Sequence, residues 1–329
     1  MSNKRLHYLD VAKGILILLL LVDHFGVVSG DKSMGLEPRY FAGIFFFHPL
    51  FTTFYMQCFF FISGYCSNFH RDGKTFMTKQ FKELVVPILF FGIVSGLYFW
   101  LRSNRVESFS FITYWFLNAL LFSKVTCWIL VKYVKSEKVQ WAIVTAMLIA
   151  GVLLNHYQKD ANVLSLYQCL ASCFFVLLGI SIKKHSKAQR FLIRYAWGGY
   201  VIFWAITYAF HLAFTIPKVT GSFMDFELYK IPLIIIVPIL GIFTCLRICQ
   251  LINHNKILEY FGRNTLVIYG LHIIPFYYIV RAMSEIYVPM NIFTGAIFDV
   301  SACLVEACVM AIVIKLFFYP PLKYGVGRW

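Results

Sequence analysis

Long apolar runs alternate with short polar stretches along the whole chain, near 11–29, 45–66, 84–101, 111–131, 139–154, 162–182, 191–213, 231–249, 257–280 and 292–318. A spanning helix needs about 20 mostly apolar residues, so each run is roughly one crossing long. The pattern predicts an all-α, polytopic bundle of about ten transmembrane helices. An even number of crossings puts both ends on one side, and the basic residues say which side. Cytoplasmic loops are enriched in Lys and Arg. The N-terminal tail, the segments 71–82, 132–138, 183–194 and 247–263, and the C-terminal tail hold 19 of the 30 Lys and Arg residues, the alternate loops hold eight, and Lys13, Lys124 and Lys315 fall within runs. Both termini are expected in the cytoplasm.

Composition narrows the class. Hydrophobic residues make up 60% of the chain and charged residues 14%, whereas soluble domains carry roughly a quarter charged residues. The spans use up the 329 residues, which implies a single transmembrane domain, 1–329, with no separate soluble domain. A net charge of +15 would suggest nucleic acid if it were clustered. Spread among loops it is explained by orientation, so no nucleic-acid partner is expected. The location implied is multi-pass in a cell membrane, the bacterial cytoplasmic membrane being the expected one. Lys4 and Arg5 ahead of an apolar core resemble a signal peptide, but Lys13, Asp23 and His24 inside the run argue for a retained first span. The nine cysteines fall mostly in apolar runs. Cys169/Cys173 and Cys245/Cys249 are i,i+4 pairs without CxxC spacing or nearby histidines, so packing is their expected role and no metal site is expected.

The first run carries chemistry that an anchor does not need. In "YLDVAKGILILLLLVDHF", Tyr8 to Phe25, three ionisable groups sit at membrane depth, where each costs about 2.5–3.5 kcal/mol unless it is paired or used. Lys13 and His24 are eleven apart, three helical turns plus about 20°, so they share one face and are separated by about 16 Å along the axis. Asp10 lies about 40° off that stripe and is placed to pair with Lys13. A cation at the cytoplasmic mouth and a histidine one pantetheine arm deeper suit an acyl-CoA, its phosphates near Lys13 and its thioester near His24. The imidazole, with an unperturbed pKa near 6.5, is suited to act as general base on an acceptor hydroxyl or to take and pass on the acyl group itself. Asp23 points about 100° away from His24 and is the weaker partner for it.

Along most of its length the chain resembles the membrane-bound acyltransferase-3 family of acyl-CoA-dependent O-acyltransferases. "RLHYLDVAKGILILLLLVDHF" is similar to the family's first helix, a basic residue and ten intervening residues before the catalytic histidine, here Lys13 and His24. "FYMQCFFFISGY", 54–65, resembles the second-helix motif, with Gln57 where proline is usual, Tyr55 where histidine is frequent, and His48 nearby. "TYWFLNALLF", 113–122, and "GRNTLVIYGLHIIP", 262–275, resemble two later helices. The resemblance implies His24 as catalytic, Lys13 as a contributor to acyl-CoA handling, and Ser63-Gly64-Tyr65 as a close-packed element of the site. Among the family's members the chain looks like the compact sugar acylators, the fucose 4-O-acetylase-like and enterobacterial-antigen acetyltransferase-like proteins.

Other polar residues in the spans complete the candidate set. His272 lies about 22 Å into its helix from the cytoplasm, close to the depth of His24, and the two are expected to flank one cavity. Arg263, four after Glu259, is either locally paired or presents its guanidinium to CoA phosphates. Lys124 and Glu306 reach the inner half of the bilayer, to pair together or, for Lys124, to join Lys13 in holding phosphate. The expected site therefore groups His24, Asp23 and His272 as catalytic, Lys13, Asp10, Lys124, Arg263, Ser63 and Tyr65 toward acyl-CoA, and Asn118, Gln57, Tyr269 and Glu306 toward the acceptor. Acetyl-CoA is the expected co-substrate with no tightly bound cofactor, and the acceptor is a saccharide or lipid-linked glycan hydroxyl. The competing reading is a transporter or proton-coupled channel with a relay of Asp23, His24, His272 and Glu306. Such proteins more often show repeats and matched broken helices in two halves, which this sequence does not clearly show.

Overall fold

The computed structural model describes residues 6–28, 47–103, 114–157, 165–216, 228–287, 291–320 and 322–328. Every regular element among them is helical. In chain order these are α1 (His7–Val28), α2 (His48–Thr52), α3 (Tyr55–Cys66), α4 (Gly73–Gln80), a single π turn (Phe81–Val85), α5 (Val86–Ser103), α6 (Trp115–Tyr133), α7 (Glu137–Tyr157), α8 (Leu166–Lys184) and α9 (Ser186–Ala209). They are followed by α10 (Ile231–Ile252), α11 (Lys256–Arg263), α12 (Thr265–Leu271), α13 (Ile273–Ile286), α14 (Ile292–Leu316) and α15 (Leu322–Gly325). The chain is a multi-pass membrane helix bundle.

Two glycine crossings set its centre. Lipid is as apolar as the helix surfaces, so helices associate there by close packing, and small residues let backbones approach. Helix α1 packs against α11, α10, α14 and α3. A Cβ added to Gly14 would lie 2.0 Å from the Leu258 carbonyl oxygen, and one added to Gly262 would lie 1.9 Å from that of Asp10. Helices α3 and α8 meet the same way. A Cβ on Gly64 would stand 2.1 Å from the Val176 oxygen, and one on Gly179 2.1 Å from that of Phe61. Helix α8 is the buried axis of its half, enclosed from Ala171 through Ile182 by α3, α6 and α7.

Six described helices are long and apolar enough to cross a membrane: 73–98, 115–133, 137–157, 166–184, 231–252 and 293–316. A seventh is reached if α12 and α13, which meet at a 48° bend, form one span. The expectation of about ten continuous spans departs from this in identifiable places. The run 45–66 is divided at Thr53 and Phe54 into α2 and α3, of 5 and 12 residues. The run 257–280 opens as the short amphipathic α11 and breaks at Asn264 and again at His272. Pro275 explains the second break, because it has no N–H to offer the carbonyl four residues back at Leu271, where α12 ends. All nine cysteines are free, seven of them buried.

Candidate functional site

The C-terminal part of α1 brings its two polar residues, Asp23 and His24, to different neighbours. Nδ1 of His24 lies 2.8 Å from the Leu20 carbonyl oxygen. A carbonyl only accepts, so Nδ1 carries the hydrogen, and in the neutral ring Nε2 is then the acceptor atom. The His24 ring meets that of His272 edge to face, with centroids 4.7 Å apart, and Phe276 stands 6.3 Å away. His272 is buried at the bend between α12 and α13. Its Nδ1 donates to the carbonyls of Ile268 and Tyr269, at 3.1 and 2.9 Å, which leaves its Nε2 buried without a hydrogen-bond partner. The two imidazoles meet as rings, with no hydrogen bond between them among the described residues. Asp23, adjacent in sequence, turns away from this pair. It accepts from the Tyr55 hydroxyl at 2.7 Å and pairs with His48 Nε2.

A cavity of about 510 Å³ runs along the inner face of α1. Ile17 and Leu20 of α1, Met56, Phe59 and Ser63 of α3, Phe116 and Leu120 of α6, and Tyr269 of α12 form its apolar part. Five cations, Lys13, Lys79, Lys124, Arg263 and Arg328, line it together with a single carboxylate, Glu83. Glu83 lies 3.6 Å from Lys79 and offsets part of that charge. Lys13 pairs with Asp10 at 2.7 Å, and Arg263 is shared between Glu259 and Asp10. Lys124 is buried to 6% exposure and makes no ion pair among the described residues. At the deep end the cavity stops at Leu20 and Tyr269, whose carbonyls take the hydrogens of His24 and His272. The histidine pair thus sits one layer behind the cavity's end wall.

Of the residues expected toward acyl-CoA, Lys13, Lys124, Arg263 and Ser63 line this cavity, as does Tyr269 from the acceptor group. Asp10 acts one step behind, through Lys13 and Arg263. Tyr65 does not reach the cavity: it stacks on Phe61 and accepts from Gln189 of α9 at 3.4 Å. Asn118 lies between the lining residues Leu117 and Leu120 but is not itself part of the lining. Gln57 is wholly buried, and neither its oxygen nor its nitrogen has a hydrogen-bond partner. Glu306 is also wholly buried with both oxygens unpartnered, so the expected pairing with Lys124 is not formed. The reason is rotational. Cys303, one turn earlier on α14, contacts the Leu18 carbonyl at 3.8 Å, and Leu18 lies about 100° round α1 from Ile17. Sequence reasoning did not single out Arg328 for the site, because its place depends on the C-terminal turn folding back so that its guanidinium reaches Asn264. Nor did it connect His7 and His254, which both reach Glu259.

The family model described as an acyltransferase domain, of the acyltransferase-3 type, matches residues 6–314. No curated protein and no solved structure matches the chain.

Proposed function

For a chain that belongs to the acyltransferase-3 family, we propose that it is an integral-membrane O-acyltransferase moving an acyl group, acetyl by preference, from cytoplasmic acyl-CoA to a hydroxyl of a saccharide or lipid-linked glycan. The observation that carries this reading is the cavity lined by five cations whose apolar part reaches Leu20 and Tyr269, the residues whose carbonyls hold His24 and His272 one layer behind. Five clustered cations, three of them partly offset by Asp10, Glu83 and Glu259, suit a polyphosphorylated donor. The apolar part suits a pantetheine arm extended along α1 from Lys13 toward His24. His24, with its hydrogen held on Nδ1 by Leu20, then presents Nε2 to the reaction. As general base it takes the proton from the acceptor hydroxyl while that oxygen attacks the thioester carbonyl and the CoA thiolate leaves. As a relay it attacks the carbonyl itself, expels the thiolate and passes the acyl group from the imidazole to the acceptor. Both routes need the tautomer that Leu20 favours.

Lys13, Lys124, Arg263 and Ser63 are assigned to the donor, with Asp10 orienting the first and third, and Tyr65 is retained only as packing beside Ser63. Gln57, Tyr269 and Asn118 are assigned to the acceptor side, with Glu306 behind α1. The topology proposed is ten crossings in a single domain with both termini cytoplasmic, in a bacterial cytoplasmic membrane, which reporter fusions at the two ends and in successive loops would test. A relay through Asp23, His24, His272 and Glu306 has less support. Asp23 bonds to His48 and Tyr55 rather than to His24, and Glu306 bonds to none of them.

Membranes carrying the protein, given labelled acetyl-CoA and candidate glycans, should transfer label, and His24→Ala should reduce transfer by about 10²–10⁴-fold. Its thermal unfolding should change little, since the side chain is only half-buried and makes one hydrogen bond, within its own helix. Transfer that survives the substitution would remove His24 from the chemistry.

A further inference from the structure

At the end of the bundle where α1 begins, separate from the histidine pair, three side chains converge. They are His7 in the first turn of α1, His254 in the connection between α10 and α11, and Glu259 in α11. One donor atom from each lies within 4.8 Å of the others. His7 Nδ1 is 3.0 Å from Glu259 Oε2, His254 Nδ1 is against Oε1, and the two imidazoles meet edge to face with centroids 5.0 Å apart. We propose that His7, His254 and Glu259 bind a divalent transition-metal ion of the zinc class, with water completing a tetrahedral site, as a clamp on the cavity mouth.

The donor set, spacing and surroundings support this. Two imidazoles and one carboxylate suit zinc, nickel or copper, whereas calcium and magnesium prefer an all-oxygen shell. Bonds of about 2.0–2.2 Å to a tetrahedral ion put its donors roughly 3.3–3.5 Å apart, which falls within the separations these three atoms already span. The fit needs only small ring rotations, and the histidine side chains have room for them, being 46% and 53% exposed. The ion takes the place of the hydrogens that now join each Nδ1 to the carboxylate, releasing those protons to solvent. Glu259 is buried and positioned by Arg263, and Arg263 also lies 3.7 Å from Asp10. A ligating carboxylate held by such a neighbour is the usual outer shell of a metal site. Because Asp10 shares the guanidinium, the Glu259 charge is not wholly used by Arg263.

The consequence follows from what these residues touch. Arg263 and, through Asp10, Lys13 belong to the cation mouth of the cavity. An ion on His7, His254 and Glu259 would tie the start of α1 to α11 where Gly14 and Gly262 already bring their backbones together, and would fix the mouth without entering it.

The test uses the full-length, tag-free protein in detergent, stripped with chelator and titrated with zinc chloride. One ion should bind per chain, raising the temperature of unfolding, and cobalt chloride in its place should give the visible absorption of tetrahedral Co²⁺. His7→Ala and His254→Ala should each lose the cobalt absorption and the zinc-dependent rise while remaining folded, because both side chains are exposed. His24→Ala should bind zinc as the parent does, so the result is independent of acyl transfer. A parent protein that takes up no ion, or His7→Ala and His254→Ala proteins that bind as it does, would overturn the proposal.

Discussion

At the scale of single residues, direction on a helix decides partnership more than adjacency does. Asp23 is next to His24 in the chain, but the 100° step between neighbours sends it to Tyr55 and His48. His272 is 248 positions from His24 in numbering, yet the rings touch, because both lie at similar depth in their own helices. Depth was countable from the sequence, while ring orientation depended on the carbonyls of Leu20, Ile268 and Tyr269. Gln57 is the most exposed to test among the buried polar groups. An amide enclosed without partners costs about 1–3 kcal/mol, so Gln57→Leu, nearly the same in volume, should stabilise the fold by that order in thermal unfolding. If Gln57 contacts the acceptor, the same variant should have a raised acceptor KM and an unchanged donor KM. A less stable variant with unaltered kinetics would return Gln57 to packing.

Among elements, the close crossings carry the largest predicted penalties. Gly64→Ala or Gly179→Ala places a methyl about 2.1 Å from a backbone oxygen of the facing helix, and no rotamer relieves a clash made by Cβ. Separating α3 from α8 should cost about 1–3 kcal/mol, as overpacking does elsewhere, and should speed hydrogen exchange in both helices. Alanine proteins as stable as the parent would show that the helices are not in contact there. Outside the membrane, Asp72 caps α4 by accepting from the Thr75 backbone N–H at 3.0 Å. Hydrogen bonds from the Thr75 side chain and backbone hold its carboxyl below the ordinary value of 3.8. A carboxylate depressed in the folded state contributes stability that is complete above its unfolded value and lost as pH falls through the lower folded one. Protection of the first amides of α4 should therefore persist at neutral pH and fade only in strong acid. Asp72→Asn should make that protection independent of pH.

Over the whole molecule, the cavity is assembled from α1, α3, α4, the π turn, α6, α11, α12 and the C-terminal residues, and no one element foretells it. Lys124 is its most buried cation. If it holds a donor phosphate, Lys124→Gln should lose a charge-assisted contact of about 1.5–3 kcal/mol, raising the donor KM roughly ten- to a hundredfold with kcat nearly kept. Initial rates against acetyl-CoA concentration would measure this. Added salt, which screens exposed charges more than buried ones, should raise the parent's donor KM through the mouth residues. By itself the sequence determined the class of this protein, because apolar length and residues per turn are properties of one segment at a time. They made the apolar helices and the approach of His272 to His24 legible. The tertiary structure alone decided which faces meet: that α14 turns Glu306 away from Lys124, that Arg328 returns to the cavity, and that His7, His254 and Glu259 converge. Those outcomes depend on the rotation of each helix against its neighbours, which is set by close contacts such as those at Gly14, Gly64, Gly179 and Gly262, between residues far apart in the chain.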